Sequence, residues 1–78
     1  MTNDVFAVFR QNVKKYREDR GWSQLRLAVD CELSEDCISD IERGKYTPNL
    51  EIIVKLAEAF GIKPCKLLTE KQNCEMGY

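Results

Sequence analysis

The sequence predicts an all-α fold, a compact five-helix bundle that contains a helix-turn-helix. Apolar residues recur at steps of three and four, which is the spacing of one helical face, and no segment shows the alternation of a half-buried strand. Glycine, proline and capping residues divide this pattern into short pieces with short connections between them. The chain has 78 residues, enough for one small domain.

Two helices are predicted in the first half of the chain. Residues 5–20 form the first helix, and Gly21, which tolerates positive φ, ends it. Trp22 follows and is expected to plug the core. Ser23 is a favourable N-cap for the second helix, which closes at Cys31. The residues expected to face inward are Val5, Phe6, Phe9, Val13 and Tyr16 in the first helix and Leu25, Leu27 and Ala28 in the second.

A short break at residues 32–33 separates the second helix from a third. Ser34 caps this third helix, which runs to about Glu42 with Ile38 and Ile41 on its buried face, and a glycine follows its end. Two short helices joined in this way have the outline of a helix-turn-helix, which would begin near Ser23 and end near Lys45.

Two further helices and a tail are predicted for the rest of the chain. The fourth helix spans residues 50–60, and Pro64 opens a short fifth helix. One domain is expected over residues 1–69, with residues 70–78 as a short, flexible tail. The residues expected to face inward are Leu50, Ile53, Leu56, Ala57, Phe60, Leu67 and Leu68.

Composition excludes several classes of function. With 44% hydrophobic and 32% charged residues the chain is globular, and no apolar run approaches the roughly 18 residues of a membrane span. The start of the chain is not a secretory signal, so a cytoplasmic protein without membrane association is expected. Because histidine and CxxC spacing are absent, no metal site and no cofactor are expected, and the four cysteines are interpreted as reduced thiols. No catalytic constellation is present, so the chain is not expected to be an enzyme.

The net charge of −1 counts against nucleic-acid binding, but the charges are unevenly distributed. Between Arg10 and Arg26 there are six basic and two acidic residues, which makes that segment net +4. The acidic residues lie mainly elsewhere in the chain.

Residue identities carry the interpretation further than periodicity does. The stretch from about Val13 to Leu68 resembles the phage-repressor and Cro-like family, known as the XRE family. The resemblance rests on Ser23-Gln24, Leu27-Ala28, Leu33-Ser34, Ile38-Ser39, Ile41-Glu42-Arg43-Gly44-Lys45, Pro48-Asn49-Leu50 and Leu56-Ala57-Glu58-Ala59-Phe60-Gly61-Ile62. It implies a lambda-repressor-like domain that binds double-stranded DNA as a dimer and regulates transcription, as a repressor or a controller protein. It does not distinguish a phage switch from restriction-modification control or an antitoxin.

The resemblance also implies roles for individual residues. The outward face of the third helix would read bases in the major groove through Ser34, Glu35, Asp36, Ser39 and Asp40. Phosphates would be contacted by Gln24, Arg43 and Lys45, and Tyr46, in the loop after the third helix, is expected to touch the sugar-phosphate edge. Arg17 and Glu42 match a pair that forms a buried salt bridge between the first and third helices. Charged residues at helix ends also complement the helix dipole, which is a second explanation for Glu35, Asp36, Arg43 and Lys45.

Two features depart from the family pattern. Glu32 stands where the family usually has glycine, at a cost of about 1 kcal/mol if its φ is positive. The third helix carries three carboxylates, Glu35, Asp36 and Asp40, which repel phosphates although a carboxylate can accept from cytosine N4. An alternative function is therefore a protein-interaction module that has lost DNA binding and uses this acidic helix to bind a basic protein partner.

Overall fold

The computed structural model describes residues 5–69 and shows four α-helices followed by a short 3₁₀ turn. No strand occurs within these residues, so the predicted all-α class is confirmed. The predicted tail at residues 70–78 lies outside the described residues. None of the described helices is long and apolar enough to cross a membrane. The helices are α1 (Val5–Asp19), α2 (Gln24–Cys31), α3 (Glu35–Arg43) and α4 (Leu50–Phe60).

The predicted count of five helices is wrong, because Pro64–Leu67 is a single 3₁₀ turn of four residues. Asn12 on α1 ties the end of this turn to the first helix. Its Nδ2 donates to the carbonyl oxygens of Leu67 and Thr69, both at 2.9 Å, which gives these two oxygens at the end of the turn a hydrogen-bond partner. A side chain 55 residues away in sequence from Leu67 thus fixes the end of the bundle.

Side-chain caps set where three of the helices begin. Ser23, Ser34 and Asn49 have extended backbones, and each accepts a hydrogen bond from the backbone N–H three residues later, at 3.0, 3.0 and 2.9 Å. The two predicted serine caps are confirmed, whereas the sequence interpretation placed Asn49 only in a loop. These caps fix the starts of α2, α3 and α4.

The core is built from all four helices and the 3₁₀ turn. Trp22 lies at its edge, partly buried and stacked on Phe60 with 5.9 Å between ring centroids. The buried residues of the hydrophobic core are Phe9, Val13, Leu27, Ala28, Cys31, Ile38, Ile41, Ile52, Leu56, Ala57, Phe60 and Leu67.

Four apolar residues that were expected to face inward lie exposed: Val5, Phe6, Leu25 and Leu50. All four stand in the first turn of a helix, where the bundle offers little to cover them. Leu50 is 72% exposed, and Ile52, two residues on, is buried in its place. Two residues turn a helix by about 200°, so the true inward face of α4 lies opposite Leu50.

Candidate nucleic-acid interface

The turn between α2 and α3 is made by Glu32 in the left-handed conformation. Its φ is 61° and its ψ is 38°, the only positive φ of a non-glycine residue between residues 5 and 69. The next residue, Leu33, donates its N–H to the carbonyl of Ala28 at 2.9 Å, which closes α2 and redirects the chain into α3. The position that usually carries glycine therefore does require positive φ, and Glu32 accepts a strain of about 1 kcal/mol.

A largely buried polar network joins α1, α2 and α3. Arg17 on α1 meets Glu42 on α3 with two hydrogen bonds, Nε to Oε2 at 2.7 Å and Nη2 to Oε1 at 3.1 Å. The Arg17 and Glu42 side chains are only 11% and 5% exposed. Arg17 also donates to the carbonyl oxygen of Trp22 at 2.8 Å, which ties in the chain just before α2. The hydrogen bond to Glu42 raises the pKa of Arg17, so the guanidinium group stays charged at any ordinary pH.

Gln24, at the start of α2, is the third member of this network. Its Nε2 donates to Glu42 Oε1 at 3.0 Å. The amide group therefore orients α2 against α3. A contact from this position to a phosphate would come from the first backbone N–H groups of α2, which have no acceptor within the helix.

The outward face of α3 carries the residues that sequence reasoning assigned to base reading. Ser34 caps the helix through its hydroxyl oxygen, so its hydroxyl proton can still be donated. Glu35 and Asp36 are exposed, while Ser39 and Asp40 are half-buried. Within residues 5–69 none of the three carboxylates on this face forms a salt bridge, and their negative charge is not neutralised inside the protein.

The end of α3 brings basic and hydroxyl groups together. Gly44, at a φ of +80°, ends the helix, and the N–H of Lys45 bonds to the carbonyl of Asp40 at 2.8 Å. Arg43, Lys45 and Tyr46 are all exposed. Neither of the two cations has a carboxylate partner in the described part of the chain, so both can bind an external anion.

Sequence reasoning counted Arg10 among the basic residues of the segment up to Arg26 but gave it no site role. The structure places Arg10 beside this end of α3. A Cβ atom built on Gly44 would lie 3.2 Å from the Cζ, Nε and Nη1 atoms of Arg10. The available signal was helical spacing, because Arg10 precedes Arg17 by seven residues and so shares its face of α1.

The cysteines do not form a reactive or metal-binding site among the described residues. Cys31 and Cys37 are free thiols, and no group of three potential ligands between residues 5 and 69 is placed so that it could hold a metal ion. Burial raises the pKa of Cys31 to about 11, and burial followed by the charge of Asp40 raises that of Cys37. Both thiols are therefore protonated and weakly nucleophilic at neutral pH.

Comparison with known sequences supports a common origin for this arrangement. Residues 13–67 match the helix-turn-helix family. The chain is 41% identical to control protein C.BamHI of Bacillus amyloliquefaciens over 78 residues, which covers 96% of each. It is 34% identical over 61 residues to the immunity repressor protein of Bacillus phage phi105, covering 78% of this chain and 42% of the longer phage protein.

Solved structures share the fold over most of its length. The hypothetical transcription factor NHTF from Neisseria superposes with a TM-score of 0.84 at 34% identity, covering 94% of this chain and 84% of that one. The restriction-modification controller protein C.AhdI from Aeromonas hydrophila gives a TM-score of 0.76 at 34% identity, covering 80% and 94%. The similarity therefore extends well beyond the two helices of the motif.

Proposed function

This chain belongs to the helix-turn-helix family of Cro/C1-like (XRE) transcription regulators, and we propose that it reads double-stranded DNA with α3 as a homodimer. Members of this family are DNA-binding proteins and not enzymes. The observation that carries the proposal is the network of Arg17, Glu42 and Gln24. It fixes α3 against α1 and α2 from the inner side and leaves the outer side of α3 available to a groove.

Base reading is assigned to the outward face of α3. In helix-turn-helix proteins the N-terminal residues of this helix contact base edges in the major groove. Glu35, Asp36 and Asp40 can only accept hydrogen bonds when ionised, and cytosine N4 is the matching donor. Ser34 and Ser39 can donate or accept. We therefore expect cytosines opposite the carboxylates in a preferred site.

Phosphate binding is assigned to the groups that flank this reading face. Arg43, Lys45 and Tyr46 lie at the C-terminal end of α3 and beyond it, and the backbone N–H groups at Gln24 lie at the start of α2. Cations on the phosphate strand offset the repulsion between the three carboxylates and the DNA backbone. Affinity would thus depend on the flanks and sequence preference on α3.

The named relatives suggest the regulatory setting. C.BamHI is a control protein and C.AhdI is a restriction-modification controller, and both match this chain along nearly their whole length. We propose a controller of the same kind, acting in the cytoplasm, with two half-sites about 34 Å apart on the DNA. Leu67 is fully buried within its own bundle, so a dimer contact near this end of the chain would have to use other residues.

A selection from random-sequence duplex DNA tests this function. The enriched pool is retested across a salt series against the unselected pool. Enrichment of a two-fold symmetric motif, with an affinity that falls steeply as salt rises, is the expected result. A pool that remains random even at low salt would contradict DNA reading.

The unpaired carboxylates of α3 and the net charge of −1 favour one second candidate, a protein-interaction module that binds a basic partner through this helix. Substituting Glu35, Asp36 and Asp40 together by glutamine separates the two. If α3 faces DNA, removing three repulsive charges strengthens binding to unselected duplex, roughly tenfold or more at low salt. Lost capture of a basic partner, with DNA binding still absent, would instead support the interaction module. The matched control removes three carboxylates that lie outside α3 and so changes net charge by the same amount. It substitutes glutamine for Glu18, Glu51 and Glu58.

A further inference from the structure

Arg10 differs from Arg17, Arg20 and Arg26 in having no hydrogen-bond or ion-pair partner within residues 5–69. Arg17, Arg20 and Arg26 each donate to a carboxylate or a backbone carbonyl. Among the described residues Arg10 forms neither a hydrogen bond nor a salt bridge. The Arg10 side chain is nevertheless half-buried, so it has lost conformational freedom without gaining an ion pair.

The guanidinium group of Arg10 rests face-on against the backbone of Gly44. Three atoms of the planar group are equally distant, 3.2 Å, from the position of a Cβ on Gly44, which places that position above the plane. The N–H bonds of a guanidinium lie in its plane and therefore point past the glycine. The missing side chain of Gly44 thus leaves room for the group while its donors stay available.

These donors lie at an open cavity of about 210 Å³ between the start of α1 and the loop after α3. Arg10, Gly44, Tyr46 and Thr47 line it, together with the ring of Phe6. Tyr46 belongs to the proposed phosphate-binding loop, and hydroxyl groups and guanidinium groups are the side chains that commonly bind DNA phosphates. The cavity is therefore continuous with the proposed DNA-binding surface.

We propose that Arg10 is a further phosphate-binding residue, which extends the DNA contact from the end of α3 onto α1, and that Gly44 is required to admit it. The inference rests on the proposed DNA-binding function. It supplies one more cation to a surface whose reading helix is acidic. An alternative role for Arg10 is to complement the dipole at the C-terminal end of α3, which would affect folding and not DNA binding.

The first test compares Arg10→Gln with the unchanged chain on a mixed-sequence DNA duplex of about two helical turns. Affinity is expected to fall roughly tenfold. The slope of log affinity against log salt is expected to decrease by about 0.9 per protomer, the value for one lost phosphate contact. Lys55→Gln removes the same charge from α4, which contributes none of the proposed contacts, and should change the slope less. Equal slopes for Arg10→Gln and the unchanged chain would overturn the inference, whereas an unchanged chain that binds no duplex would overturn the proposed function as well.

A second test uses glycines as matched positions. Gly44→Ala and Gly61→Ala both place a Cβ at positive φ, but nothing lies within 4 Å of a Cβ at Gly61. Only Gly44→Ala should weaken duplex binding, and it should cause no further loss when Arg10 is already glutamine. Additive losses from Gly44→Ala and Arg10→Gln would contradict the assigned role of Gly44.

A third measurement separates DNA phosphate from a free anion. The NMR signal of the Arg10 Nε–H group should shift when duplex is added and remain in place when inorganic phosphate is added at constant ionic strength. An equal shift with inorganic phosphate alone would assign the cavity to small anions and overturn the DNA contact.

Discussion

Arg17 and Arg10 lie two turns apart on one face of α1, and the structure uses them in opposite ways. Arg17 is buried, and its Nε lies 2.7 Å from Oε2 of Glu42. Arg10 lies at the edge of the same contact between α1 and α3. There α3 ends in Gly44, which offers a backbone surface but no carboxylate. The partner supplied by α3 therefore decides whether a cation of α1 stabilises the fold or is left for the proposed phosphate contact.

The largest expected effect comes from removing Arg17, the buried arginine of this comparison. Arg17→Met leaves the carboxylate of Glu42 buried with only Gln24 as a donor, which is expected to lower the free energy of unfolding by about 3–5 kcal/mol. Urea unfolding followed by circular dichroism measures it. Arg10→Met, the same substitution on the same face, should change stability by less than about 0.5 kcal/mol.

The double variant Arg17→Met/Glu42→Leu shows whether the loss comes from the orphaned charge. Because both charges are removed, most of the stability of the unchanged chain should return. If the double variant is as unstable as Arg17→Met alone, the packing of the Arg17 side chain, and not its charge, stabilises the contact between α1 and α3.

Cys31 on α2 is only 2% exposed, so it allows a pH test of the core that supports α3. Burial raises its pKa from 9.0 to about 11, so below pH 9 the thiol is protonated in both states and costs nothing. Above pH 9 the unfolded chain gains stability by ionising, and the folded protein should lose about 2 kcal/mol by pH 11. Thermal unfolding measured from about pH 8 to about pH 12, on either side of the two pKa values, checks this. Cys31→Ala should unfold with a flatter dependence, and an equally steep one would assign the loss to other groups.

The comparison also shows what sequence reasoning can reach. Caps and stop residues are local signals, and Ser23, Ser34 and Gly44 placed the ends of α2 and α3 to within one residue. Contacts between distant segments leave no such signal. The bonds from Asn12 to the last turn, and the contact of Arg10 with Gly44, depend on how α1 packs, which no local pattern encodes.

The smallest expected effect concerns the turn between α2 and α3, which carries a strained residue in place of a buried ion pair. Glu32 holds a φ of 61°, which glycine adopts without strain. Glu32→Gly relieves about 1 kcal/mol of strain but gives the unfolded chain more freedom, so a net gain of up to about 1 kcal/mol is expected. Urea unfolding measures the gain, and Glu32→Ala is the control that removes the charge without relieving φ. Since Glu32 belongs to none of the proposed contacts, the affinity for DNA should change little beyond the effect of one removed negative charge, which Glu32→Ala shares. If Glu32→Gly lowers the affinity for DNA and Glu32→Ala does not, the strained turn itself helps to position α3. The network around Arg17 would then not be the only feature that holds α3 in place.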